Sequence, residues 1–201
     1  MSETGVPNAA KYGQIVQAAV TEFQENGFAA ASMDRVSARA GVSKRTVYKY
    51  FESKERLFQS IVQKLWSHFT EGIDVTYDRG RPVREQLAAL AWAEGRLLMS
   101  PEVMGLARLV ISELMQRPEL AGEMRDQLEM KAAFVTFMRE AAADGALAIE
   151  DPADATEEFL ALIKAKAFWP VIFGDPIVGE NDMTRIVDSS VEMMMCRYAS
   201  G

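Results

Sequence analysis

Between Ser43 and Tyr50 the chain reads Ser-Lys-Arg-Thr-Val-Tyr-Lys-Tyr, and at helical spacing its polar and apolar groups separate. Val47 and Phe51, at i and i+4, face inward, which leaves Lys44, Arg45, Thr46, Tyr48, Lys49 and Tyr50 pointing out. Two cations followed by a hydroxyl at the start of a short helix are the donors that reach base edges in a DNA major groove. Nothing apolar remains to be buried on that outer face.

The elements that must hold this helix lie just before it. Ser32 is the N-cap of a first short helix, Asp34 stands at its positive end, and Met33, Val36 and Ala40 form its buried side. Gly41 ends that helix, Val42 packs under the corner, and Ser43 caps the second helix. The pair reads as a helix-turn-helix. Tyr48 and Tyr50 as ordinary packing residues, with the lysines and arginines as a solvated face, is the competing reading, but the charge is sharply localised. From Arg35 to Arg56 there are seven Lys or Arg against two Glu, a net of +5, while the whole chain carries −7 and the remainder therefore −12. A basic patch on an acidic body suits a protein that meets nucleic acid through one small face.

The segment AGVSKRTVYKYFESKERLF resembles the DNA-binding segment of the TetR family of bacterial repressors: the Gly-Val-Ser turn, the Tyr-x-Tyr-Phe helix end and the following Ser-Lys-Glu all match. The resemblance extends over residues 12 to 65, including a preceding helix that ends in Asn26-Gly27-Phe28. RLVISELMQRPELA (108 to 121) and DGALAIEDPADATEEFLALI (144 to 163) are similar to the C-terminal domain of one branch, the AefR-like regulators. The resemblance implies a homodimer whose two heads bind a palindromic operator in double-stranded DNA, with an inducer pocket in each C-terminal bundle. Lys44, Arg45, Thr46 and Lys49 are then expected at base edges, and Ser32, Ser43, Tyr48, Tyr50 and Lys54 complete the DNA-binding set, mostly at phosphates.

Helix punctuation dominates the rest. A first helix is expected from about Ala9 to Glu25, burying Ile15, Ala18, Ala19 and Phe23; another runs from Ser53 to about Ile73. TYDRGRP (76 to 82) is a loop, followed by a helix from Val83 to Met99 and by Ser100-Pro101-Glu102, a cap with proline at the first helical position. A helix from near Pro118 closes at Asp144-Gly145. Further helices are expected from Pro152 to about Phe173, and from Asn181 or Asp182 to Tyr198. The expected fold is all-α with about nine helices, a helix-turn-helix head over residues 1–55 and a ligand-binding and dimerisation bundle over 56–201.

In that second domain Trp66, Phe69, Trp92, Met99, Met104, Phe134, Phe137, Met138 and Trp169 are the candidates to line a pocket for a small apolar or aromatic inducer, since Met and flat aromatic groups suit such a cavity. The competing reading is plain core. Glu94, Arg96, Arg108, Glu113, Lys164 and Lys166 are assigned to solvent or ion pairs rather than to ligand. Phe159, Ile163 and Ala167, with Val187, Val191 and Met194 on the last helix, carry more apolar surface than one bundle needs and are expected at the dimer contact, where the resemblance places the pairing helices.

Other classes fit poorly. The sole His68 and sole Cys196 lie far apart, no Gly-rich phosphate loop occurs, and no acid, base and nucleophile converge, which argues against an enzyme. A metal or other cofactor is not called for. One cysteine allows no intrachain disulfide, so a reducing cytoplasmic setting is expected, with Cys196 as a packed thiol. The start, MSETGVPNAAKYG, is not a signal peptide, and no run approaches the ~18 apolar residues of a membrane span. The expected function is a ligand-released repressor; a regulator acting without a small molecule, through a protein partner or as an activator, stays open.

Overall fold

A computed structural model describes residues 9–71, 76–117 and 131–199. Ten helices are present among them: α1 (Ala9–Ala30), α2 (Met33–Arg39), α3 (Lys44–Tyr50), α4 (Lys54–Glu71), α5 (Val83–Leu98), α6 (Pro101–Gln116), α7 (Ala132–Ala143), α8 (Pro152–Ala167), α9 (Trp169–Ile172) and α10 (Glu180–Tyr198). The only β pairing among the described residues is an isolated antiparallel bridge between Leu147 and Ala199. The expected helix start near Pro118 lies outside the described residues.

The chain divides into two compact units. The head holds the residues up to 65 together with 109–118; the body holds 66–108 and the remainder. The chain therefore reaches the head twice, and α4 and α6 each contribute to both units.

Within the head, Phe23, Phe28 and Phe58 form an aromatic core with ring centroids 5.3 to 6.3 Å apart. Ile15, Ala19, Val36, Val47, Leu57 and Ile61 surround it without solvent access. The first helix is longer than expected, yet Gly27 inside it is not helical (φ 70, ψ 160). That left-handed geometry suits glycine, and it releases the Phe28 peptide from the helical ladder. Gly41, at φ 63, turns the chain between α2 and α3 as the sequence implies.

Within the body, α5, α8 and α10 pack together, α7 lies on α8, and the bundle interior is built from Leu87, Leu90, Leu98, Phe134, Phe137, Met138, Phe159, Ile163 and Val187. α5 and α10 approach most closely where Gly95 meets Met183; a Cβ at Gly95 would stand 2.9 Å from the Met183 sulfur. The expected helix from Pro152 to Phe173 is broken at Phe168 into α8 and α9. Pro170 explains the break, because it brings no amide proton and its ring clashes with the carbonyl four residues back. The Arg108 guanidinium holds the far end of α9, donating to the Val171 carbonyl at 2.6 Å.

Candidate nucleic-acid interface

α2 and α3 form where local chemistry demands. The Ser32 hydroxyl accepts the Arg35 amide at 3.1 Å and the Ser43 hydroxyl accepts the Thr46 amide at 3.1 Å, so each helix begins with a satisfied donor. Val47 is fully buried and Phe51 nearly so, and Phe51 stacks on Tyr12 at 5.2 Å. Lys44, Arg45, Tyr48 and Lys49 are exposed, Thr46 and Tyr50 half-buried. Ser32, Lys44, Tyr48 and Lys54 line one open groove together with Asp34 and Glu52; Lys49 and Tyr50 line another with Tyr12 and Arg56.

Most of the basic charge of this region is already committed. Arg35 donates to Glu22 at 2.6 Å and to the Ala30 carbonyl at 2.5 Å. Arg39 pairs with Glu25 at 2.5 Å, Arg56 bonds Gln59 at 3.2 Å, and Lys44 pairs with Asp34 at 2.7 Å. The hydrogen bond to Asp34 holds the Lys44 ammonium above its ordinary pKa. Arg45 and Lys49, one turn apart on α3, have no ion pair or hydrogen bond with another described residue. The uncommitted cations of this segment therefore concentrate on the outer face of the second helix.

Lys54 corrects an expectation. Its ammonium donates to the carbonyls of Phe28, Ala29 and Ala31 at 2.7, 3.1 and 3.2 Å, and lies 4.6 Å from the Phe28 ring centroid. All three of its protons are spent closing the carbonyl end of α1, so it is a helix cap rather than a phosphate contact.

Two carboxylates that sequence reasoning did not assign to the head complete it. Glu22, with 0% of its surface exposed, accepts the Ser32 amide at 3.3 Å as well as Arg35, tying α1 to the start of α2. Glu113, 5% exposed on α6, accepts the Phe28 amide at 3.1 Å, and the Arg117 guanidinium lies 4.4 Å from the Phe28 ring. Each acid stands on the apolar stripe of its own helix, Glu22 between Ala18, Ala19 and Phe23, Glu113 after Leu109 and Val110. A charged residue in a buried register was the available signal.

In the body, Phe69, Met104, Phe134, Phe137 and Met138 are buried and Trp66, Trp92 and Met99 half-buried. Phe134 packs on Phe159 at 6.5 Å, and Phe137 meets Tyr77 edge-on at 5.6 Å. Trp169 does not belong with the pocket candidates. It is 47% exposed and stacks on Phe173, itself 79% exposed, because the break at Phe168 gives α9 its own facing. Phe159, Ile163, Ala167, Val187, Val191 and Met194 are also corrected: all are buried within a single chain by α5, α8 and α10, and so are unavailable as contact surface. Cys196 is exposed rather than packed, and its thiol donates to Glu192 at 3.5 Å. His68 is half-buried on α4, with its Nε2 buried and lacking a hydrogen-bond partner among the described residues. No described group of three or more His, Cys, Asp or Glu could hold a metal ion, and no described helix is long and apolar enough to cross a membrane.

Comparison with known proteins agrees with this architecture. Residues 15–61 match the family of bacterial regulatory proteins of the tetR type, and residues 85–200 match the AefR-like transcriptional repressor C-terminal domain. A TetR-family transcriptional regulator from Pseudomonas syringae pv. tomato shares 37% identity and superposes with a TM-score of 0.81, over 94% of this chain and 97% of that one. The flavonoid-responsive regulator FrrA is 25% identical with a TM-score of 0.77, over 96% and 98%. The fatty acid metabolism regulator of Bacillus subtilis is 32% identical over 78 residues, covering 39% of this chain and 40% of the relative. The transcriptional activator FasR of Mycolicibacterium smegmatis is 35% identical over 68 residues, 34% of this chain and 31% of the relative. These two curated relatives are thus matched over less than half of their length. A helix-turn-helix with its free cations on the second helix, followed by an AefR-like bundle, makes this chain a DNA-binding transcriptional regulator of the TetR family.

Proposed function

We propose that the protein is a homodimeric repressor released from a palindromic operator by a small apolar or aromatic inducer. Arg45, Lys49, Thr46 and Lys44 read base edges, while Ser32, Ser43, Tyr48 and Tyr50 reach phosphates. The single observation that carries this reading is the pair Arg45 and Lys49, exposed and uncommitted on one face of a helix capped for groove entry. An aromatic inducer is supported by the apolar and aromatic interior of the body and by the likeness to a regulator described as flavonoid-responsive. Release requires the inducer to bind the state of low operator affinity more tightly, and tenfold weakening of the operator complex corresponds to about 1.4 kcal/mol of coupling.

The test selects a duplex from a random pool with the wild-type protein and measures its binding by gel shift. Arg45→Ala with Lys49→Ala should abolish preference for the selected site. Unchanged binding by the double variant overturns the assignment of α3. In vitro transcription from a promoter carrying that site should fall when protein is added. A rise would place the protein with activators, as the relationship to FasR allows.

A further inference from the structure

Glu94 stands where a leucine would be expected. Along α5 the buried side runs Leu87, Leu90, Ala91, Glu94, Leu98, and Glu94 is 2% exposed. Its neighbour is Lys164, which rises from the buried side of α8 between Leu160, Ile163 and Ala167. The Lys164 ammonium lies 3.2 Å from Glu94 Oε1 and 5.6 Å from the ring centroid of Phe69 on α4. The two charges are close, yet no described donor is aligned for a hydrogen bond to that buried oxygen.

Stability does not account for such a pair. Removing two charges from water costs several kcal/mol, recovered only when the geometry is good and the remaining lone pairs are satisfied, and apolar replacements of a buried pair are often neutral or stabilising. A buried acceptor without an aligned donor is a group waiting for one.

We propose that Glu94 and Lys164 are the polar anchor of the inducer site and select a ligand bearing a neutral hydroxyl on an aromatic skeleton. A hydroxyl donates its proton to Glu94 Oε1 and accepts one from Lys164, satisfying both partners at once. A carboxylate ligand would be repelled by Glu94 and an ammonium ligand by Lys164, because the pair is neutral as a whole. The Phe69 ring beside the ammonium offers the flat apolar surface for the skeleton. This inference rests on the reading above that the body takes an aromatic inducer.

The test uses a matched pair of probes, flavone and 7-hydroxyflavone, titrated by calorimetry into the full-length protein, with thermal unfolding measured alongside. The wild type should bind the hydroxylated probe about tenfold more tightly, the scale of a hydrogen bond to a charged group. In the charge-balanced variant Glu94→Leu with Lys164→Leu the preference should vanish while the unfolding temperature holds or rises. In Glu94→Gln, which preserves shape, the preference should fall. Equal binding of both probes by the wild type overturns the anchor but leaves the aromatic-inducer reading standing. Binding of neither probe overturns both. A double variant that keeps the preference, or that unfolds at a lower temperature, shows the pair to be structural and overturns the proposal.

Discussion

The Glu113 carboxylate on α6 accepts the amide proton of Phe28 at 3.1 Å across 85 residues of chain. Gly27 takes the Phe28 peptide out of the α1 ladder, Lys54 takes its carbonyl, and Glu113 takes its amide, so a peptide that follows a helix break is satisfied on both sides by distant charged groups. Phe28 immediately precedes the chain that enters α2, and these bonds orient the helix-turn-helix from outside it.

Glu113→Leu should therefore leave a buried amide unpaired and cost about 1–3 kcal/mol, read from the urea midpoint. Glu113→Gln retains an acceptor oxygen and should lose much less. Equal losses in the two variants would show that packing, not the hydrogen bond, is what Glu113 supplies.

Lys54 and Lys49 should separate cleanly. Lys54→Met removes the donors that close α1 and is expected to lower the unfolding temperature, with the dependence of operator affinity on salt unchanged. Lys49→Ala leaves stability alone and weakens operator binding by about 1–3 kcal/mol at particular base positions. A reduced salt slope in Lys54→Met would return that residue to the DNA contacts.

Assembly is expected to depend on the exposed apolar groups of the last helices. Phe173→Glu or Met193→Glu, at positions 79% and 49% exposed, should dissociate a dimer in sedimentation without unfolding the chain. Ile163→Glu, fully buried within one chain, should unfold it instead. A wild type that sediments as a monomer at micromolar concentration would remove the dimer altogether.

Tyr77 supplies a pH test. Burial first, and then its hydrogen bond to Asp144 at 2.8 Å, push its pKa up to about 12 from 10.0. The folded state thus favours the protonated phenol, and the stabilisation is complete below pH 10 and lost as pH rises toward 12. Unfolding midpoints of wild type and Tyr77→Phe, compared across that window, should converge as the phenol ionises. A constant gap between them would show that ionisation of Tyr77 is not linked to folding.

The helix-turn-helix was legible in the residues because its determinants are local. Two serine caps, a left-handed glycine and an i, i+4 apolar pair act within a few residues of one another, and the structure realises each of them. The all-α class followed from helical spacing and punctuation in the same way, although Pro170 went unread as a break. Which cations are free was not legible. Lys54 and Arg45 look alike in sequence, and their fates differ because three carbonyls of α1, more than twenty residues away, fold onto one and no partner reaches the other. Periodicity likewise marks Ile163 and Val191 as apolar and inward, but it carries no information on whether the covering surface comes from the same chain or a second copy. Tertiary packing decided that the chain covers them itself, since side-chain burial depends on which helices meet in space, while a helical pattern records only which way each helix faces.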